Sequence, residues 1–401
     1  MGPENSLIAK VRQAMTELED VKLFLVGGSV RDILLGRTLS DYDFLIEGEL
    51  FVFANLLGER LKCPVSFNRK LLTASFATEW GSVDFSQARQ ETYQNPGELP
   101  KVCPASWQDD LKRRDFTINT LLLPLTPNGW GEIQDLLGGK QDLQAGLIRI
   151  LHSNSFRDDP TRILRAIRLK NRLGFTWDSE TLATLQMCWT YLKLVSPIRR
   201  FKEWDLICKE QEPTKILQEI YALGGWETYF GTVPYNSEVI ASLSAISQDA
   251  SQLKLRAWFL GLLILSSIDH SSYRYLAYSW SLPAAVYRSI EETFTILEAI
   301  QQGLYKKKRM IYRELRKLPQ ESIFFVYQKQ VRIIMTWEDF VRELQNSHMP
   351  LRGKDLLKLG MEPGVELGRV LNLLEDSYWQ EEFTTRQEGL KLAHNFYLGG
   401  Q

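Results

Sequence analysis

Cysteine is scarce in this chain of 401 residues: Cys63, Cys103, Cys188 and Cys208 are the only four. None forms a CxxC pair, so neither a zinc ribbon nor a disulfide framework is expected, and a reducing compartment, the cytoplasm, is the natural setting. Histidine is equally sparse. His152, His270, His348 and His394 stand singly, and none is followed by an aspartate as the His-Asp pair of a metal hydrolase would require. Long apolar runs are missing too. The most apolar stretch, 257–268, is too short for the ~30 Å hydrocarbon core of a bilayer and reads as a buried helix. The N-terminus lacks a basic segment followed by an apolar one, so no secretory signal is expected, and Met1-Gly2 with Ser6 fits only the loose outline of a myristoylation pattern. No membrane partner follows. Nor is one sign of charge in surplus: 48 Lys+Arg face 49 Asp+Glu, a net charge of -1. That excludes an overall basic nucleic-acid binder but leaves room for a local cationic surface.

What is present is globular. Hydrophobic residues make up 44% and aromatic residues 11%, enough for a sizeable core. The length suits roughly two to four domains. Residues 1–145 carry mixed strand and helix signals, and the remainder is mostly helical, so the fold class is α+β. A strand is predicted at 23–26, broken by Gly27-Gly28, then a helix at 29–35 stopped by Gly36. Strand pattern returns at 43–46, and a helix follows at 50–61. Residues 73–78 and 81–85 read as a strand pair around a turn. The segment 94–104, with three prolines and a glycine, reads as a loop. Residues 116–123 fit either helix or strand. A strong helical pattern starts at Pro160 and runs to Leu173, with Gly174 as a stop. Pro283 and Pro319 read as breakers, and 345–353 as a linker.

Several constellations carry chemistry. In Gly27-Gly28-Ser29-Val30-Arg31-Asp32, two glycines between a strand and a helix let backbone approach a phosphate, the helix N-terminus supplies N–H donors, and Arg31 adds charge. Asp41-Tyr42-Asp43 begins a strand 13 positions after Gly28. Residues two apart on a strand face the same way, so both carboxylates project to one side and can share a divalent metal such as Mg²⁺, with substrate phosphates completing its shell. A lone DxD is usually a solvated strand entry; one just after Gly-Gly-x-x-Arg-Asp is much less often so. Asp84, at the edge of the predicted strand pair, is a candidate third carboxylate. In 110–119, Lys112, Arg113 and Arg114 suit phosphate, and Asp115 and Asn119 would share a face of a helix. Asp158-Asp159-Pro160-Thr161-Arg162 leads into Arg165, Arg168 and Arg172, a cationic stripe whose mutual repulsion needs an anionic answer.

The ordered set GGSVRD, DYDF, DLKRRDFTIN and DDPTRILRAIR resembles the class II tRNA nucleotidyltransferases, the CCA-adding enzymes and their bacterial poly(A) polymerase relatives. Residues 134–143 resemble the family's hinge motif. Residues 195–203 resemble its neck motif, with Ile198 where glutamate is common; Asp158 also stands where glutamate is common. The resemblance covers 20–205. It implies a nucleotidyltransferase head (1–145), then an all-helical neck (146–215), body (216–300) and tail (301–401). It implies Asp41 and Asp43 as metal ligands with Asp84 beside them as a catalytic carboxylate. It implies triphosphate contacts from Gly28, Arg31, Arg113 or Arg114, Arg165 and Arg168. Asp159 and Arg162 would read the base. The substrates would be CTP and ATP, the metal Mg²⁺, and the partner tRNA, with the acceptor stem and elbow on the helical part. A predicted helix carrying Lys306, Lys307, Lys308, Arg309, Arg313, Arg316 and Lys317 would offer RNA contacts.

The base reading has a physical rationale. A carboxylate accepts from the exocyclic amine of cytosine or adenine, and a guanidinium donates to the adjacent ring nitrogen. Uracil and guanine reverse both groups, and each buried mismatch costs ~1–3 kcal/mol. The main expectation is a tRNA 3′-terminal nucleotidyltransferase adding C, A or both. Alternatives are a poly(A) polymerase on the same head, a non-catalytic tRNA-binding relative, and nucleotidyl transfer to a small molecule. The family needs a flexible loop between its second carboxylate motif and its RRD motif to add A, and residues 88–102 fill that position.

Overall fold

A computed structural model describes residues 2, 5–18, 20–39, 41–269, 273–332 and 334–398; His270 lies outside the described residues. The chain forms two compact units, 1–235 and 236–401. Expected head and neck residues thus belong to one unit, which extends past the expected boundary at 215, and no division falls at 300.

The first unit is built on a sheet of seven strands: β1 (Lys22–Val26), β2 (Asp41–Glu47), β3 (Ser66–Asn68), β4 (Thr73–Thr78), β5 (Gly81–Gln87), β8 (Leu122–Thr126) and β9 (Gly129–Trp130), in the order β3-β4-β5-β2-β1-β8-β9. Strands β6 (Arg89–Thr92) and β7 (Lys101–Pro104) form a separate antiparallel pair. β1 lies antiparallel to β2 and β8, whereas β2 and β5 run parallel. The period-two pattern explains β2. Tyr42 and Phe44 point into the core, and Asp41 and Asp43 point out. Phe44 stacks on Phe85 at 5.0 Å between ring centroids, and Phe53 and Phe76 pack against Phe85 from other sides. The strand pair predicted at 73–85 is present as β4 and β5.

Helices α1 (Ser6–Met15), α2 (Gly28–Leu34), α3 (Leu50–Leu61), α4 (Trp107–Lys112) and α5 (Gly139–Ala145) complete the head. α6 (Ser155–Asp158), α7 (Thr161–Leu173), α8 (Ser179–Cys188) and α9 (Pro197–Cys208) follow. Three details differ from the sequence reading. The segment 94–104 is not all loop, because Lys101–Pro104 pairs with β6 and its proline sits at the strand's last position, where a missing N–H is tolerated. Residues 116–123 resolve into one 3₁₀ turn (Thr117–Asn119) and the start of β8. The segment after the head is not wholly helical: Leu147–Ile148 pairs in parallel with Thr176–Trp177.

In the second unit the described residues form helices. Ala257–Ser266 is buried along most of its length, as its apolar run predicts. Pro283 and Pro319 cap helices Ala284–Gln301 and Gln320–Gln330, where proline's fixed φ and missing N–H cost little. Arg256 grips the buried Glu321 through two bonds of 2.8 Å.

Candidate active site

The site grows from the junction of β1, α2 and β2. Gly27 turns the chain with φ +63°, a region that disfavours side chains, and a Cβ there would come within 3.2 Å of Nη1 of Arg114. Ser29, one residue into α2, lies buried against the start of β2. Its Oγ accepts from the Asp43 N–H at 3.0 Å and lies 3.3 Å from the Asp41 carbonyl, to which it donates. One hydroxyl thereby fixes the backbone of both aspartates. The sequence reading passed over it, although a serine at the start of a helix is a familiar bridging residue.

Strand β2 begins at Asp41, so both aspartates stand on it and face the same side. Asp84 lies on β5 directly across from Asp43 in the parallel register, and accepts from Ser82 Oγ at 2.8 Å. The Asp43 carboxyl is pushed up to about 6. Desolvation in the cleft acts first, although the side chain keeps contact with solvent; the Asp84 and Asp41 charges add to it against Arg114 and Arg31. Three acids that repel one another across adjacent strands favour a cation. Among the described residues no three His, Cys, Asp or Glu side chains have the spacing to hold a metal by themselves.

Asp41 and Asp43 share a cavity of about 320 Å³ with Gly28, Arg31, Arg165 and Arg168. Acids and guanidinium groups thus line the same space, the arrangement a triphosphate with metal requires. Arg31 is buried, and donates to Asp32 Oδ1 at 2.9 Å and to Asn119 Oδ1 at 2.8 Å. Asp115 and Asn119 meet through a 2.9 Å bond, but across a 3₁₀ turn and not along a helix. Asp115 also receives Arg165 at 2.7 Å.

Arg113 and Arg114 do not line that cavity. Both are gripped by Asp110, whose side chain is fully buried: Arg113 Nε donates at 2.8 Å and Arg114 Nη2 at 3.0 Å. Arg113 reaches Glu91 as well, at 2.9 Å. The arginine stripe on α7 finds its anions within the protein. Arg168 donates to Glu203 at 2.7 Å and to Glu210 at 3.2 Å, and Arg172 pairs with Glu210. Arg162 instead donates to Ser155 Oγ at 2.8 Å and to the Arg113 carbonyl at 2.5 Å, and lines a second cavity of about 340 Å³ with Tyr93, Arg113 and His152. Asp159, just before α7, accepts from Arg199 at 2.6 Å. Neither Asp159 nor Arg162 lines the cavity that holds Asp41 and Asp43.

The cationic set of the second unit differs from the expectation. The helix starts at Lys308, so Lys306 and Lys307 precede it. Lys308 pairs with Glu343, Arg309 donates to the Phe383 carbonyl at 2.9 Å, and Arg313 donates to Asp376 at 3.0 Å. Arg316 donates to the Ser347 carbonyl at 2.6 Å, and Lys317 pairs with Glu314 at 2.5 Å. Among the described residues Lys306 and Lys307 are the exposed cations of this set with no such partner.

Residues 23–149 match the Poly A polymerase head domain. An A-adding tRNA nucleotidyltransferase of Halalkalibacterium halodurans is 30% identical over 98% of this chain and 92% of its own length. One of Geobacter sulfurreducens is 29% identical over 98% of this chain, which spans 47% of that relative. Enzymes named CC-adding and CCA-adding match as well. A solved tRNA nucleotidyltransferase, in complex with a primer tRNA and an incoming ATP analog, superposes with a TM-score of 0.65 at 28% identity, covering 84% of this chain and 99% of that one. Among the described residues no helix is long and apolar enough to cross a membrane.

Proposed function

The chain belongs to the tRNA nucleotidyltransferase and poly(A) polymerase family, and from this we propose that it extends the 3′ end of tRNA with C, A or both, using CTP and ATP, in the cytoplasm. The observation that carries the reading is the single cavity in which Asp41 and Asp43 face Arg31, Arg165 and Arg168.

The reaction joins the terminal 3′-hydroxyl oxygen of tRNA to the α-phosphorus of the nucleotide. The bond from that phosphorus to the bridging oxygen breaks, and pyrophosphate leaves. Members of this family use divalent metal ions, and in this chain Asp41 and Asp43 would hold Mg²⁺, with Asp84 as the third carboxylate at its edge. When bound, the metal lowers the cost of deprotonating the hydroxyl and offsets charge on the leaving oxygen. Arg31, fixed by Asn119, and Arg165 and Arg168 on α7 bind the triphosphate and orient it. Gly28 allows close backbone approach. Arg113 and Arg114, tied to Asp110, support the wall behind them. Asp159 and Arg162 read the base edge, which requires the base to reach beyond the cavity that holds the acids. In the tail, Lys306 and Lys307 contact the RNA backbone, whereas Lys308 and Arg309 act there through the helix they brace.

Among the possible products, terminal A addition has the most support. The segment 93–100 that joins β6 to β7 lies where the family's A addition requires a loop, and a relative matched over most of both chains is named A-adding. The test uses three labelled tRNA transcripts, ending at the discriminator base, after C and after CC. Each is incubated with enzyme, Mg²⁺ and CTP, ATP or both. Addition of one A to the CC-ended transcript alone is the expected result. Extension of all three to CCA would assign the complete reaction, and long A tails would assign a poly(A) polymerase. No extension of any transcript would overturn nucleotidyl transfer.

A further inference from the structure

The two carboxylate oxygens of Asp159 are not equivalent. Oδ1 accepts from the Thr161 N–H at 3.1 Å, from Thr161 Oγ1 at 2.7 Å and from Arg199 Nη2 at 2.6 Å. Oδ2 receives no hydrogen bond from the described residues. One oxygen is saturated by protein donors, and the other is open.

Arg199 is itself held on two segments: beside Asp159, its Nη2 also donates to Thr161 Oγ1 at 3.4 Å. Its second terminal nitrogen, Nη1, donates to the Gly97 carbonyl at 3.0 Å. Gly97 lies in the segment between β6 and β7, is buried, and has φ +79°; a Cβ there would approach the Leu194 carbonyl carbon to 2.9 Å. The carbonyl that receives Arg199 is thus packed against the chain leading into α9. A planar guanidinium bridging two acceptors on separate segments cannot rotate toward one without losing the other. The preceding residue, Ile198, is aliphatic and 74% exposed, so it offers no competing charge. Asp159 is the one acidic partner of Arg199 among the described residues.

We propose that Arg199 is a specificity-determining positioning residue for base selection: it fixes the Asp159 carboxylate so that Oδ2 alone meets the exocyclic amine of the incoming base. The proposal rests on the nucleotidyl transfer and base-reading roles given above. A carboxylate free to turn can swing its oxygens aside and admit a water between itself and a carbonyl. A carboxylate pinned through Oδ1 cannot. Guanine and uracil place a carbonyl oxygen where adenine and cytosine place an amine, and two acceptors then face each other unrelieved. Arg199 touches no substrate in this arrangement and acts through Asp159.

The test uses the intact chain, a CC-ended tRNA transcript and Mg²⁺. It compares wild type, Arg199→Lys and Arg199→Ala, with Asp159→Ala as the reference for lost base reading. The quantity read is kcat/KM for ATP divided by kcat/KM for GTP, nucleotides that share ring size and triphosphate. Where the wild type adds C to a shorter transcript, the CTP to UTP ratio is read in the same way. Arg199→Ala is expected to lower the ratio by roughly tenfold or more. Arg199→Lys, which keeps the charge but reaches one partner at a time, is expected to fall between wild type and Arg199→Ala. A merely structural role would slow both nucleotides together and leave the ratio unchanged, and that result overturns the proposal. If Arg199→Ala does not fold, the ratio for Arg199→Lys decides in the same way. Full discrimination in Asp159→Ala would also overturn it, by removing the base reader. Wild type that extends no transcript would instead overturn the nucleotidyl transfer reading.

Discussion

Asn119 joins Arg31 to an acid it does not touch. Its side-chain oxygen accepts from Arg31 at 2.8 Å, and its amide nitrogen donates to Asp115 at 2.9 Å. Asp115 in turn receives Arg165 through Nη2 at 2.7 Å. A neutral amide thus sits between a cation from α2 and a carboxylate that holds a cation from α7, and it satisfies both. An acid in its place would pair with Arg31 but repel Asp115, and a lysine would do the reverse.

Replacing Asn119 by leucine removes both bonds and leaves a buried guanidinium and a buried carboxylate each short of a partner. The expected loss of stability is about 1–3 kcal/mol for each unsatisfied group. Urea unfolding measures it. The KM for the nucleotide should rise as well, because Arg31 loses the contact that aims it.

Acid stability should report Asp115. Burial works to raise its carboxyl, but the Arg165 charge and the bonds from Asn119 and Arg165 outweigh that and hold it below its ordinary value of 3.8. With the folded value below the unfolded one, the contribution is fully present above the unfolded value and fades as pH falls toward the folded one. The stability gap between wild type and Asp115→Asn should therefore stay level from about pH 8 to about pH 5 and narrow only below about pH 4. A gap that widens on acidification would contradict the assigned charge state.

Loss of either strand β2 aspartate should separate chemistry from binding. Asp41→Ala and Asp43→Ala are expected to abolish nucleotide incorporation, while filter binding of labelled tRNA stays near wild type. Near-normal incorporation by either variant would remove that residue from the proposed metal site.

Salt dependence tests the tail. The pair Lys306→Ala and Lys307→Ala should weaken tRNA binding and lower the slope of log affinity against log salt by about 2, one for each lost phosphate contact. Lys308→Ala should change the slope little, since its ammonium already pairs with Glu343. Equal effects from both would mean that the Glu343 contact opens on RNA.

Much of the site was legible because it is local. Period-two alternation puts Asp41 and Asp43 on one face without reference to anything else, and Gly27-Gly28 marks its own turn. The helix at 161–173 shows in its periodicity. What the sequence left hidden depends on distant pairing. The arginines of α7 meet Asp115, Glu203 and Glu210, which lie 50, 35 and 42 residues from their partners. Arg199 finds Gly97 across 102 positions. Lys308 and Arg313 pair with Glu343 and Asp376, 35 and 63 positions away, which the local cationic pattern does not show. One missed feature did carry a local signal: Asp110 stands three and four positions before Arg113 and Arg114, the spacing at which helical side chains meet.

Strands β2 and β5 pair in parallel, so residues about forty positions apart, such as Asp41 and Ser82, must find each other before Asp43 can lie across from Asp84. A slip of one residue along β2 would turn Asp43 inward and Phe44 outward, since successive side chains alternate faces. A chain that has collapsed with the wrong alignment can bury much of its oily surface and still lack any catalytic centre. During refolding, turnover should consequently lag behind the quenching or shift of tryptophan fluorescence, because this long-range alignment is slow to form. Specific activity of a purified batch then counts correctly aligned molecules, which neither solubility nor helical content can do.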